Sequence, residues 1–113
     1  MTTSTMPPAT PASISLFFEQ GAYVFRNVGG LELYAVNRDV APSYVCGDEC
    51  LADWQPLAAP ADSQPVGDWS VCPPGGSSSQ WCYRGEPVYT YRRDRPGTLL
   101  GEGIDGIWTR LKP

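Results

Sequence analysis

The chain is 113 residues long, with eight Lys and Arg against twelve Asp and Glu, no His, and a net charge of −4. That length holds one domain with a modest core, and the acidic balance excludes a nucleic-acid reader, which needs a basic excess. Twelve Gly and twelve Pro favour short strands and many turns, and no apolar run approaches the ~20 residues of a membrane span.

The opening MTTSTMPPATPAS has neither the basic nor the apolar region of a secretion signal. Residues 1–14 therefore read as a disordered Ser/Thr/Pro/Ala tether left beside a removed leader, which is where a lipid anchor would sit. AYVFRNV (22–28) and LELYAVN (31–37) alternate with period 2 and predict a hairpin across Gly29-Gly30. CGDECLADW predicts one short helical turn near Cys46–Trp54, because Cys50, Leu51 and Trp54 fall on one side. PLAAPADSQPVG reads as a linker. DWSVC (68–72) predicts a strand, SQWCYR and PVYTYRR a second hairpin across Gly85-Glu86, and GIWTRLK (106–112) a last strand.

Two phrases recur. At an offset of 55, RNVGGLELYAVNRD lies over WCYRGEPVYTYRRD, matching Tyr34 with Tyr89 and Asp39 with Asp94. At an offset of 54, Trp54 meets Trp108 and Leu57 meets Leu111, each pair followed by a Pro. Two blocks in the same order at nearly the same spacing predict a duplication. The expected fold is mainly β, a single domain over 15–113. Its two antiparallel β-meander halves, about 21–60 and about 76–113, share one core filled by the four Trp, each able to bury ~150–250 Å².

Within the repeated phrase Tyr89 and Tyr91 point to one face of a strand. Asp94 then opens DRPG, where an aspartate accepts hydrogen bonds from the turn ahead; Asp39 is expected to do the same before VAPS. The sharper alternative makes Asp39 and Asp94 a carboxylate pair for acid–base chemistry or a hard cation. No His is present to act as a base, and no nucleophile elbow or phosphate loop is present, so the chain is not expected to be an enzyme. Arg92, Arg93 and Arg95 follow the aromatic pair and form a candidate surface for an unknown protein or small ligand.

Four cysteines in a small chain point to an oxidising compartment and two disulfides among three pairings. Cys72 and Cys82 flank a loop between predicted strands and are expected to bridge it; Cys46 and Cys50 are expected to pair locally. No cofactor is expected. The alternative is that Cys46 and Cys50 act in redox chemistry or hold a soft metal such as copper.

The duplicated Tyr-x-(Phe/Trp/Tyr)-x-x-Asp pattern, the Cys-x3-Cys segment leading into Trp54-Gln55-Pro56-Leu57, and the GDWS…QWCYRGEPVYTY second half resemble a bacterial secreted-repeat family. Its members are described as predicted lipoproteins. The likeness runs from about Ala22 to Pro113, and the first copy departs from the pattern at Val36. The resemblance implies an extracytoplasmic, β-rich domain, periplasmic or secreted; the residues themselves add a non-catalytic binding or interaction domain as the expected function.

Overall fold

A computed structural model describes residues 9–36, 48–60, 62–72 and 79–111. Two hairpins pack against each other, Phe25 of the first meeting Trp69 and Tyr83 of the second. Strands β1 (Ile14–Glu19) and β2 (Ala22–Asn27) form one, and β5 (Trp69–Cys72) with β6 (Gln80–Tyr83) and the short β7 (Glu86–Pro87) form the other. Against both lies a four-stranded antiparallel sheet built from β3 (Tyr34–Val36), β4 (Trp54–Pro56), β8 (Tyr89–Tyr91) and β9 (Trp108–Arg110), in the order β4-β8-β3-β9. A single helical turn, α1 (Asp48–Leu51), precedes β4, where the sequence places it.

The duplication is legible in the register of this central sheet. Tyr34 faces Tyr89 across the β3–β8 contact. On one flank Ala35 pairs with Thr109 and Val36 with Trp108; on the other Thr90 pairs with Gln55 and Tyr91 with Trp54. Each pair maps onto its counterpart when the halves are exchanged. The Leu57 N–H donates to the Val88 carbonyl at 2.9 Å, and its counterpart Leu111 N–H donates to the Leu33 carbonyl at 2.7 Å. The tryptophan strand of each half therefore pairs with the tyrosine strand of the other, and the two halves are interleaved.

Alternation along these strands decides what each face buries. Tyr34, Val36, Trp54, Tyr89, Tyr91 and Trp108 form an aromatic cluster on one face. The equivalent Trp54 and Trp108, from the two edge strands, meet there in a stack with ring centres 3.7 Å apart. Leu33, Ala35 and Val88 belong to the second cluster, against Ile14, Phe25, Trp69, Trp81 and Tyr83 of the hairpins. The backbone at Gly101 lies against the first cluster so closely that an added Cβ would come within 2.8 Å of Trp54 and 3.0 Å of Tyr34. The four tryptophans are all buried and supply the core's bulk as expected.

Three local expectations change. Strand β1 begins at Ile14, the last residue of the expected tether, yet it pairs with β2 along its whole length and Ile14 is buried in the core. Its sequence ISLFFE does not alternate in polarity, which hid it from a period-2 reading. The partner of β2 is consequently β1. AYVFRNV and LELYAVN still turn about Gly29-Gly30, but a single bridge, Arg26 to Glu32, joins them before Leu33 crosses to the central sheet. Asn27 sets that turn by accepting the Leu31 N–H on Oδ1 at 2.9 Å. The second hairpin turns one residue earlier than expected, at Arg84-Gly85, because Tyr83 pairs with Glu86. Both turn residues have positive φ, 51° and 83°, as a type I′ connection demands.

The predicted linker also starts within the fold. Leu57 and Ala59 run beside β6, with Trp81 N–H donating to the Leu57 carbonyl at 2.9 Å. Upstream, the Ser13 hydroxyl accepts the Trp81 indole N–H at 3.2 Å.

Candidate functional site

The repeated motif joins the two halves through a hydrogen bond. The Tyr34 hydroxyl donates to Asp94 Oδ2 at 2.6 Å, across 60 positions of sequence. The other oxygen of Asp94 accepts from the Leu100 N–H at 2.7 Å and the Thr98 hydroxyl at 2.8 Å. Asp94 thus closes the loop it opens, and it is buried. Burial, followed by the bond to Asp94, pushes the Tyr34 phenol well above its ordinary range. The contact ties the strand exit of the second half to the tyrosine strand of the first. Asp39, its sequence counterpart, lies outside the described residues.

The arginines after the motif are tied down unequally. Arg92 donates to the Leu51 carbonyl and to Gln55 Oε1, and Arg93 faces Asp53 at 3.3 Å. Both hold the helical turn and β4 against the end of β8. Arg95 is exposed, with its backbone N–H bonded to the Thr98 hydroxyl.

Cys72 and Cys82 form the expected disulfide, with Cα atoms 5.9 Å apart. Cys50 is also disulfide-bonded, and it packs against the aromatic cluster. Cys46 lies outside the described residues. Among the described residues no three His, Cys, Asp or Glu side chains come together as a metal site.

A second polar constellation was missed in the sequence. Glu32, 2% exposed, accepts from Arg26 and, at 2.8 Å, from Arg110 Nε. Arg26 also bonds Glu19 at 2.7 Å. Its hydrogen bonds to Glu19 and Glu32 raise its guanidinium pKa further, and the same Arg26 contact lowers the Glu19 carboxyl below its usual value. A lone Glu in an alternating strand ordinarily marks the solvent face; the only sequence signal here was that it sits between two leucines, Leu31 and Leu33. Beside Arg110 opens a cavity of about 340 Å³ bordered by Tyr83, Arg84, Glu86 and Thr109.

These features define a small, duplicated, disulfide-bonded all-β domain with an aromatic core. Compared with known proteins, the chain matches no family model, no curated protein and no solved structure.

Proposed function

We propose that this chain is a non-catalytic binding domain of the bacterial periplasm or exterior, of the secreted-repeat class its motif resembles. The observation that carries this reading is that none of the described cysteines is free, and that one bridge staples a hairpin. Such bonds persist in oxidising compartments and are rare where thiols are kept reduced. No helix among the described residues is long and apolar enough to cross a membrane. The motif carboxylate Asp94 supports the non-catalytic reading, because it is buried and both its oxygens are engaged. Of the motif arginines, Arg95 is exposed and, among the described residues, is the one offered to a partner.

The test is alkylation of the protein drawn from its native cells, denatured without reductant and weighed by mass spectrometry. All four cysteines should resist labelling and the protein should fractionate outside the cytoplasm. Four labelled thiols in a cytoplasmic fraction would overturn the reading.

A further inference from the structure

Arg84 and Arg110 border one cavity of about 340 Å³ together with Glu86 and Thr109. Each guanidinium is oriented from behind through its Nε. Arg84 Nε donates to Asp68 Oδ2 at 3.2 Å, and its guanidinium lies 5.1 Å from the centre of the Tyr83 ring. Arg110 Nε donates to Glu32 Oε1 at 2.8 Å. Among the described residues, each of these hydrogen bonds uses Nε and not the terminal nitrogens of the guanidinium. Guanidinium groups fixed in this manner suit the planar fork of a carboxylate.

Charge narrows the ligand class. Two guanidiniums and one carboxylate, Glu86, border the cavity, while Asp68 and Glu32 are committed to the rear of the arginines. Glu86 has a partner of its own, but its oxygens still favour donors over a second anion. A dianion such as phosphate would face that repulsion. A monoanion carrying hydroxyl donors would place its carboxylate on the arginines and its hydroxyls toward Glu86 and Thr109. The cavity lies where the two halves meet, between β3, the β6–β7 turn and β9, so it exists only in the interleaved fold.

We propose that this cavity binds a small polyhydroxylated carboxylate of the acidic-sugar class. This deepens the binding reading above and rests on it, but the two fail separately, since the thiol count is indifferent to any ligand.

The test is titration of the full-length ¹⁵N-labelled protein with D-glucuronate, followed by NMR at the Arg84 and Arg110 Nε–H signals and the Gly85 amide. D-glucose and sodium chloride at matched ionic strength are the controls. Saturable shifts with glucuronate alone, weakened about tenfold or more in Arg84→Gln, are expected from loss of a bidentate charged contact. Tryptophan fluorescence of R84Q should match the parent, since Arg84 is an exposed turn residue. Equal shifts with glucose or chloride, no saturation by the order of 10 mM, or unchanged affinity in a folded R84Q would each overturn the proposal. The parent titration decides the matter even if that variant fails to fold.

Discussion

The two hairpins solve one mechanical problem with different chemistry. In β1–β2, Ser15 faces Arg26 and Phe17 faces Val24; in β5–β6, Ser70 faces Cys82 and Cys72 faces Gln80. Matched by strand register, the diagonal pair Phe17/Arg26 occupies the place of Cys72/Cys82, with β2 one residue out of step with the offset of 55 that lays Arg26 over Trp81. In the second hairpin that diagonal is a covalent bridge. In the first it is a guanidinium 4.9 Å from an aromatic ring centre, with the same guanidinium tied onward to Glu19 and Glu32. The core positions around them remain apolar in both hairpins, Ile14 and Phe25 corresponding by register to Trp69 and Trp81. A duplicated backbone thus keeps its buried contacts and lets the rim of each hairpin choose its own fastening.

If the first hairpin depends on charge, removing the buried anion should have the largest effect. Glu32→Gln leaves two arginines facing a neutral amide in a site 2% exposed. Loss of one partner from a buried ion cluster costs about 3–5 kcal/mol, and urea unfolding should register a fall near the lower end, since Gln retains one acceptor. A loss below 1 kcal/mol would mean the cluster is solvated in solution. Replacing both Cys72 and Cys82 with Ser tests the second fastening. Closing a loop of 10 residues is worth about 2–3 kcal/mol through the unfolded chain. That loss should be the same at low and high salt, whereas the stability contributed by Glu32 should shrink modestly as salt screens the part-exposed arginines.

What was readable in the sequence follows the same division. The Tyr34/Tyr89 and Trp54/Trp108 pairings repeat residue types at fixed spacing, so the doubling was visible, as were β5, β9 and the Cys72–Cys82 bridge. The interleaving was not, because spacing within a copy carries no information about which copy supplies the neighbouring strand. Glu32 and Arg110 stand 78 positions apart, and their partnership depends on that interleaving. The cavity beside Arg110 was hidden for the same reason. Arg92 and Arg93 look like a surface pair in sequence, yet their carboxylate, amide and carbonyl partners come from the segment around α1 and β4.

The contact between halves offers a milder perturbation. Tyr34→Phe removes one of three hydrogen bonds to Asp94 and should cost about 1.5–2 kcal/mol, the range for a bond to a charged group. It should also change the alkaline limb of stability. The folded Tyr34 phenol is held above its ordinary value of 10.0 by burial first and Asp94 second. Its contribution is therefore complete below about pH 10 and is lost as pH rises from there toward the raised folded value. Y34F should flatten that fall in part only, because burial raises the Tyr83 phenol as well. An identical alkaline limb in Y34F would show that Tyr34 is not the titrating group.

The smallest expected effect is the most informative about the comparison. Phe17→Leu keeps an apolar side chain on β1 at a position 41% exposed but removes the ring beneath Arg26. An exposed cation–π contact is worth about 0.5–1 kcal/mol, and the loss should appear only while Arg26 is held over the ring by Glu19 and Glu32. In the Glu32→Gln background the same substitution should therefore cost measurably less, a coupling that a double-mutant cycle resolves when the residues share one network. Additive losses would mean the ring and the carboxylates act on Arg26 independently, so that the first hairpin is fastened by two separate contacts where the second uses one bond.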